Sequence, residues 1–296
     1  MKALIIGGKG QLGTTLTQTA PETIEYLSLD LPEIDITDAD TVETVVGDEK
    51  PDVIINASAY TAEDRAEEDV DRAFAVNATG PKNIALAAKR AGCRLIHVST
   101  DYVFDGTACT PYAPEAPCSP LGVYGKSKRQ GEINVLDVID DPVIIRTSWL
   151  YSQYGNNFVL TMLRLMNERD ELKVVADQVG GPTWAATLAA AIWAVVGKDD
   201  LKGIYHWSDA GVASWYDFAV AIQEEALSLG ILKNAIPIHP IRTDQFPTLT
   251  ERPSYSVLNS TGSWRDFNIV PLHWRAALRQ MLASIQMKGL AVNSIR

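Results

Sequence analysis

The chain has 296 residues, of which 46% are hydrophobic, and its formal net charge is −11. A chain of this length and composition can bury a full core, which excludes a disordered protein. Its acidic balance argues against partners such as nucleic acid or an anionic membrane, because both require a basic surface. Three cysteines, Cys93, Cys109 and Cys118, follow no metal-ligand spacing and favour a reducing compartment. We therefore expect a cytoplasmic protein.

Short apolar runs rich in Ile and Val alternate with helix-like stretches in the first half of the chain. The runs cover residues 3–6, 24–29, 53–55, 95–98 and 143–145. The alternation indicates parallel β-α-β units, and strands this uniformly apolar require helices on both faces of the sheet. The pattern predicts a Rossmann-like, doubly wound parallel sheet in residues 1–150.

The pattern loosens after residue 149. Helices are indicated at residues 158–167, 185–196 and 214–229, with short strands and proline-rich connections between them. The longest apolar run, residues 188–196, is too short to span a bilayer. We predict that residues 151–296 form a smaller, mixed α/β cap that is mainly substrate-binding. No linker separates the halves, so a later segment could return to the first sheet.

A glycine turn follows the first predicted strand. Its spacing fits both Gly8-x-Gly10-x-x-Gly13 and the variant Gly7-x-x-Gly10-x-x-Gly13. Glycines permit a tight turn and close approach of the backbone to a pyrophosphate, while the helix N-terminus offers free N–H groups. Because the motif lies between a strand and a helix, as its chemistry requires, it predicts a dinucleotide site.

Asp30 ends the second predicted strand, and Asp35 follows shortly after it. Residues 28–37 contain neither arginine nor lysine. An acidic side chain at this place favours a free ribose 2′-hydroxyl, as in NADH. The cofactor is therefore expected to be NADH or NADPH with a lean toward NADH, although an arginine from elsewhere could reach a 2′-phosphate.

Tyr124 and Lys128 lie four residues apart in a predicted helix over residues 123–136. This separation places both side chains on one face of the helix. A free tyrosine titrates near about 10, so a neighbouring cation is needed if the phenol is to exchange protons near neutrality. Lys128 supplies that cation, but the spacing alone is common by chance on exposed helices.

The predicted strand 95–98 runs into Ser99, Thr100 and Asp101. Catalytic groups of parallel α/β enzymes lie at the carboxyl ends of the strands, so Thr100 can hydrogen-bond a substrate oxygen beside Tyr124. The segment 56–60, after the third strand, has small residues that allow a nicotinamide to approach. Together these features predict a reductase that acts on a keto group.

Several further motifs extend over nearly the whole chain. They are the glycine turn, residues 56–61, residues 99–106, residues 124–128, residues 146–149, Asn157-Phe158, Asp177-Gln178 with residues 181–183, and residues 252–256. In combination they resemble the extended short-chain dehydrogenase/reductase superfamily and, within it, the dTDP-4-dehydrorhamnose reductase family. That family reduces the C4 keto group of dTDP-4-dehydro-β-L-rhamnose to give dTDP-β-L-rhamnose, so the resemblance implies a nucleotide-sugar substrate.

The resemblance also implies roles for individual residues. Tyr124 would be the proton donor, Lys128 would bind the nicotinamide ribose and tune the tyrosine, and Thr100 would assist. The predicted substrate-binding residues are Thr100, Asp101, Trp149, Asn157 and Arg252. The predicted cofactor-binding residues are Gly7, Gly10, Gln11, Leu12, Gly13, Asp30, Asp35, Ile36, Ala59, Tyr60, Thr61, Val98, Tyr124 and Lys128.

Two of these substrate assignments rest on the resemblance alone. From its own surroundings in the sequence, Trp149 is as often core filler as ligand platform. Arg252 could pair with a surface acid or clamp a diphosphate bidentately. Two other features are expected to have structural roles: Tyr102 as a packing aromatic, and the acidic run 63–69 as a solvated helix start, although Glu63 and Asp64 in that run flank the expected crevice.

Other functions on the same fold remain open. Another nucleotide-sugar reductase, an epimerase or a dehydratase would share the Tyr/Lys pair, but related dehydratases carry an acid where this chain has Tyr102. A non-catalytic regulatory subunit, such as the β subunit of methionine adenosyltransferase, would not need the whole catalytic set. Some bacterial family members bind magnesium at a dimer interface through glutamates. Here Thr15, Thr187 and residues 282–285 occupy the corresponding regions, so no metal is predicted and a monomer or a homodimer is expected.

Overall fold

A computed structural model describes residues 1–287 of the protein. The strands in chain order are β1 (Lys2–Ile6), β2 (Glu25–Leu29), β3 (Val53–Asn56), β4 (Arg94–Thr100), β5 (Val143–Thr147), β6 (Leu150–Tyr151), β7 (Leu172–Val175), β8 (Val179–Gly180), β9 (Thr183–Trp184), β10 (Gly203–Trp207), β11 (Ala213–Ser214) and β12 (Ile238–Ile241).

The α-helices in chain order are α1 (Gln11–Gln18), α2 (Ala39–Glu49), α3 (Glu63–Ala66), α4 (Val70–Phe74), α5 (Gly80–Ala91), α6 (Val123–Val138), α7 (Phe158–Glu168), α8 (Ala185–Val196), α9 (Trp215–Ser228), α10 (Thr261–Phe267) and α11 (Trp274–Met287). No helix in the described range is both long enough and apolar enough to cross a membrane.

The centre of the molecule is a six-stranded sheet in the order β10-β5-β4-β3-β1-β2. Every neighbouring pair in it is parallel. The chain moves outward from β1 to β2 and then returns to the other side of β1 with β3, so the strand order reverses at β1. A crevice at the carboxyl ends of the strands is expected there. The prediction of a doubly wound parallel sheet is confirmed.

Alternate residues of each central strand face opposite cores. In β1, Ala3 and Ile5 pack on the face that α1 and α8 cover, while Leu4 and Ile6 pack on the face that α2 and α5 cover. Because helices bury both faces, neither face of the strand needs polar residues. This double burial explains the uniformly apolar runs in the sequence.

Part of the second half of the chain belongs to this sheet. Strand β10 pairs with β5, and α8 packs against the same core as α1. Helices α7, α9 and α11 form a separate core with residues such as Leu163, Phe218 and Leu278. Helix α9 begins with a capping box in which Ser214 and Asp217 bond each other's backbone N–H. The division of the chain at residue 150 stays a prediction.

Candidate active site

A cavity of about 740 Å³ opens at the carboxyl ends of β1, β3, β4 and β5, under the helices of the second half. It has the size and position of a ligand site in a doubly wound fold. Predicted site residues that line it are Gly7, Gly10, Gln11, Leu12, Asp30, Asp35, Ile36, Ala59, Tyr60, Thr61, Val98, Thr100, Asp101, Tyr124, Lys128, Trp149 and Asn157. Of residues 1–287, the predicted Gly13 and Arg252 are not among the lining residues.

The glycine turn forms one end of the cavity. Gly7 has a φ of +89°, and a Cβ on it would lie 2.6 Å from the backbone nitrogen of Ser58. A Cβ on Gly13 would lie 2.1 Å from the carbonyl oxygen of Gly7, so α1 approaches the turn only because this residue is glycine. Gly10 precedes the first turn of α1 and provides no side-chain cap for its N–H groups. The N–H groups of Gly7, Gly8 and Gly10 bond to backbone carbonyls, so the donors that remain for a pyrophosphate are those of the first turn of α1.

Asp30 lies at the edge of the same cavity, as predicted for a residue near the adenosine ribose. Its carboxylate accepts hydrogen bonds from the backbone N–H of Lys9 at 2.9 Å and of Leu31 at 2.8 Å. The Lys9 ammonium lies in the same region, where it pairs with Glu33 at 3.1 Å. The sequence allowed for an arginine from elsewhere in the fold, whereas the cation that the structure places here is Lys9, which the glycine turn brings across from β1.

The three predicted catalytic residues meet on the inner wall of the cavity. Tyr124 and Lys128 lie one turn apart on α6, Thr100 ends β4, and all three are buried. The Lys128 ammonium donates a hydrogen bond to the carbonyl oxygen of Val98 at 2.7 Å, which ties the helix to the strand end. The predicted helix over residues 123–136 is confirmed as Val123–Val138.

Burial determines how these groups titrate. It raises the pKa of Tyr124, and the carboxyl of Glu63 raises it further, while a hydrogen bond with Thr100 opposes the rise. Burial also lowers the pKa of Lys128 to about 8, against the opposing effect of Glu132 one turn further along α6. At neutral pH the phenol is therefore protonated and can donate a proton, and the lysine is still mainly charged.

A buried ion pair supports α6 behind the catalytic residues. Arg146 on β5 donates from Nε to Glu132 Oε1 and from Nη2 to Glu132 Oε2, both at 2.8 Å. Both side chains are almost fully buried. The bidentate geometry holds the helix at a defined position on the sheet, and removing either partner would leave an uncompensated buried charge.

Trp149 forms the opposite wall with a tryptophan that the sequence analysis missed. Its backbone has a φ of +47°, a strained value for a residue other than glycine. Its indole stacks on that of Trp215, with ring centroids 3.5 Å apart and an angle of 6° between the planes. A Cβ on Gly180 would lie 2.5 Å from the Trp149 ring. Gly180 is therefore required where the indole passes it.

Asn157 lines the cavity, but its amide is already engaged. Its Oδ1 accepts a hydrogen bond from the N–H of Leu160 at 3.2 Å and caps α7, and its Nδ2 donates to the carbonyl oxygen of Ser152 at 2.8 Å. Nδ2 also lies 3.1 Å from Gln11 Oε1. Asn157 thus connects α7 to the cofactor turn, and contact with substrate remains a prediction.

Arg252 lies behind the cavity wall. Its Nη2 is 3.2 Å from Asp64 Oδ2, and its Nε is 3.6 Å from Glu63 Oε2. Of the two roles considered from the sequence, pairing with a carboxylate is the one that these contacts show. A diphosphate clamp would require the guanidinium to leave both carboxylates.

Glu63 and Tyr102, for which the sequence predicted structural roles, face the cavity. Glu63 and Tyr102 both line the cavity, and the Tyr102 hydroxyl donates a hydrogen bond to Glu63 Oε2 at 3.0 Å. The expectation that the whole acidic run 63–69 is solvated was therefore wrong for Glu63, because α3 packs against α6 and turns its first residue inward toward Tyr102. A signal was available in the sequence: Glu63 follows the segment 56–61 by two residues.

Thr15 and Thr187, which stand where the resemblance places magnesium-binding glutamates, hydrogen-bond to backbone carbonyls at the start of their own helices. Thr15 donates to the carbonyl oxygen of Gln11 and Thr187 to that of Trp184, both at 2.7 Å. Within residues 1–287, no group of three or more His, Cys, Asp or Glu side chains is placed to hold a metal ion.

Comparison with known proteins gives consistent matches over nearly the full length. The family described as RmlD substrate binding domain matches residues 1–287. A dTDP-4-dehydrorhamnose reductase of Aggregatibacter actinomycetemcomitans is 44% identical, over 95% of this chain and 98% of that protein.

Two solved structures have the same fold throughout. A dTDP-4-dehydrorhamnose reductase from Clostridium acetobutylicum superimposes with a TM-score of 0.91 at 39% identity, over 97% of this chain and all of that one. A dTDP-4-dehydrorhamnose reductase from Bacillus anthracis, in complex with NADP, gives 0.90 at 36% identity, over 96% of this chain and 99% of that one.

Proposed function

The chain belongs to the dTDP-4-dehydrorhamnose reductase family of the extended short-chain dehydrogenase/reductases, and from that premise we propose that it reduces the C4 keto group of dTDP-4-dehydro-β-L-rhamnose to dTDP-β-L-rhamnose. The observation that supports this most directly is the convergence of Tyr124, Lys128 and Thr100 in a cavity whose other end is the glycine cradle. A nicotinamide dinucleotide is the cofactor that fits this cavity, because backbone donors and close-approach glycines accommodate its pyrophosphate.

A bound nicotinamide would supply hydride to the carbonyl carbon, which leaves the carbonyl oxygen with negative charge to be stabilised and protonated by this chain's own residues. Tyr124 donates that proton, because burial keeps its hydroxyl protonated at neutral pH. Thr100 at the end of β4 supplies a hydroxyl beside Tyr124, and this hydroxyl stabilises the developing charge when it turns from Asp101 Oδ1 toward the substrate oxygen. The Lys128 ammonium, held by the Val98 carbonyl, favours the phenolate that Tyr124 leaves behind.

The sugar nucleotide is assigned to the side of the cavity away from the glycine turn. The Trp149 and Trp215 indoles offer an aromatic wall for the face of a sugar ring. Asp101 is almost completely buried there and can accept hydrogen bonds from ring hydroxyls. Asp101 and Trp149 are therefore assigned to substrate binding.

NADH is proposed as the better of the two reduced cofactors. Asp30 lines the cavity, and its carboxylate would accept a hydrogen bond from the ribose 2′-hydroxyl but repel a 2′-phosphate. Lys9 offers a compensating cation if its ammonium leaves Glu33, so NADPH is expected to bind more weakly and not to be excluded. Asp30→Ser should shift the ratio of kcat/KM values toward NADPH, by about tenfold. An unchanged ratio would remove the assignment.

The reaction is tested by mixing the purified protein with dTDP-4-dehydro-β-L-rhamnose and either reduced cofactor. Loss of nicotinamide absorbance, with dTDP-β-L-rhamnose identified by NMR, is the expected result. Flat absorbance with both cofactors would show that the substrate assignment is wrong. A protein that is isolated with stoichiometric oxidised cofactor and turns over without added NAD(P)H would instead be an epimerase or a dehydratase.

A further inference from the structure

Glu63 is a carboxylate in the active-site cavity for which the proposed reaction has no use. It is the first residue of α3 and lies directly beyond the segment that leaves β3. Its Oε2 accepts a hydrogen bond from the Tyr102 hydroxyl at 3.0 Å, and the ring of Tyr102 meets that of Tyr124 edge-on at 5.6 Å. The side chain is thereby fixed on the same side of the cavity as the proton donor.

The environment of Glu63 is that of a group inside a ligand site. Burial raises the pKa of its carboxyl, against the opposing effect of Arg252. Nevertheless, 29% of the Glu63 side chain is accessible. The side chain lines the cavity, so a ligand in the cavity can reach it. Its described contacts involve Oε2, and within residues 1–287 Oε1 has no hydrogen-bond donor.

Asp101, directly after β4, is a second carboxyl group in the cavity with one oxygen that lacks a hydrogen-bond donor. Its Oδ1 accepts a hydrogen bond from the Thr100 hydroxyl at 3.1 Å, and burial raises the pKa of the carboxyl against the opposing effect of the nearby Ser256 hydroxyl. Within residues 1–287, however, no donor meets the buried Oδ2 with hydrogen-bond geometry. Leaving a buried acceptor without a donor is costly, so a ligand that supplies hydroxyl donors at this place gains affinity. Two inward-facing carboxyl groups with unpaired oxygens, beside a proton donor, suit a polyhydroxylated ring.

We propose that Glu63 is a specificity-determining residue that accepts a hydrogen bond from a ring hydroxyl of the sugar and selects hydroxylated keto sugars over deoxygenated ones. The proposal rests on the proposed function, since it concerns the substrate of that same site. It assigns recognition to Glu63 and leaves proton donation to Tyr124. Arg252 and Tyr102 act as positioning residues, because both hold Oε2 of Glu63 and so leave Oε1 directed to the ligand.

The competing explanation is a structural one. Glu63 could serve only to neutralise Arg252 and so hold the segment around residue 250 against α3. A structural role would reduce turnover of every substrate by the same factor. A recognition role would reduce it only for substrates that carry the contacted hydroxyl.

The test is a cycle that crosses the variants Glu63→Gln and Glu63→Ala with three substrates: the full keto sugar and its 2-deoxy and 3-deoxy analogues. With the full substrate we expect Glu63→Ala to lower kcat/KM about 10- to 100-fold, mainly through KM, and Glu63→Gln to lower it less. For one of the two deoxy analogues, Glu63→Ala should cost no more than about twofold. That analogue identifies the hydroxyl that Glu63 binds.

Glu68→Gln is the matched control, since Glu68 comes from the same acidic run but does not line the cavity. It should leave all three kcat/KM values unchanged, and the cofactor Kd should be unaffected by every variant. The wild-type protein alone also tests the proposal, because it should discriminate against the same deoxy analogue by about 10- to 100-fold without any substitution.

A uniform loss with all three substrates, or wild-type indifference to both missing hydroxyls, would overturn the assignment. Failure of the proposed function has a different signature. In that case the wild-type protein would not turn over the full keto sugar at all.

Discussion

The two ends of the cavity are built in different ways. At one end, the cofactor wall (residues 7–13) is a continuous stretch of backbone whose fit depends on glycines. At the other end, four side chains from separate segments of the chain form the substrate wall: Glu63, Asp101, Trp149 and Trp215. A backbone wall binds the part of a ligand that many proteins share, whereas a wall of side chains can change residue by residue. From this difference we infer that cofactor and substrate recognition are separable, and variants of either wall test that inference.

The two walls also differ in whether their backbone conformations and buried polar atoms destabilise the protein. The cofactor wall has a positive φ at Gly7, where the absence of a Cβ avoids the steric energy that another residue would incur. The substrate wall has a positive φ at Trp149 and an unpaired buried oxygen on Asp101, both of which destabilise the empty protein. Unpaired groups of this kind are relieved when a ligand contacts them, so the substrate wall should be stabilised more by its ligand.

The sharpest test of separability is Tyr124→Phe, because Tyr124 lies where the two walls meet. Removing the hydroxyl should lower kcat by about 10²- to 10⁴-fold, the usual contribution of a positioned general acid. Cofactor and substrate Kd values should change by less than about twofold, measured by calorimetry. Tyr26→Phe, at an exposed tyrosine of β2, is the control. Unchanged turnover would refute the proton-donor role.

The cofactor wall is tested by Gly13→Ala. A Cβ there would lie 2.1 Å from the Gly7 carbonyl oxygen, so the turn must shift. We expect the cofactor Kd to rise about 10- to 100-fold, which corresponds to about 1.4 to 2.8 kcal/mol, with a lower melting temperature and little change in substrate KM.

The matched control is Gly47→Ala in α2, where a Cβ meets nothing within 4 Å. It should leave cofactor binding intact and stabilise the protein by about 0.5–1 kcal/mol. Equal effects of the two substitutions would show that the turn tolerates a side chain.

The pH dependence of the reaction tests the role of the Lys128 ammonium, which lies between the two walls. The pKa of Lys128 is lowered to about 8, so its ammonium is present below that pH and is lost as the pH rises through it. We expect kcat/KM for the cofactor to fall above about pH 8, approaching tenfold per pH unit. Lys128→Arg should retain some activity and lose this fall, because arginine stays charged. A wild-type profile that is flat between pH 7 and 9.5 would contradict the role of the ammonium.

The smallest effect is expected from the stacked tryptophans of the substrate wall. Trp215→Leu removes the partner that stacks on Trp149 and should raise the KM for the sugar nucleotide about 3- to 10-fold, the contribution of an aromatic pair. The cofactor Kd should not change. Trp264→Phe, at a tryptophan packed on the core between the sheet and α8, serves as the control for general destabilisation. A larger change in the cofactor Kd than in the KM for the sugar nucleotide would show that the two walls do not act independently.

Much of the cofactor wall could be predicted because its chemistry is contiguous in the chain. Gly7, Gly10 and Gly13 recur every third residue within one turn, and Tyr124 and Lys128, outside this wall, likewise share one helix face. The predicted family and fold class are confirmed by the whole-length matches and by the sheet. For Glu63 the only signal in the sequence was its position just after the segment 56–61, and for Trp215 there was none, since the contact of each depends on another element that lies beside it.

The sequence by itself determined the doubly wound sheet, the dinucleotide turn and the Tyr/Lys pair, because strand burial, glycine spacing and helix periodicity are local properties. Tertiary structure alone decided that Glu63 turns inward to Tyr102, that Trp215 stacks on Trp149, and that Arg252 pairs with carboxylates. These contacts join residues far apart in the chain. Their geometry depends on how α3 and α9 pack against the sheet, and a periodic pattern within one element carries no information about that packing.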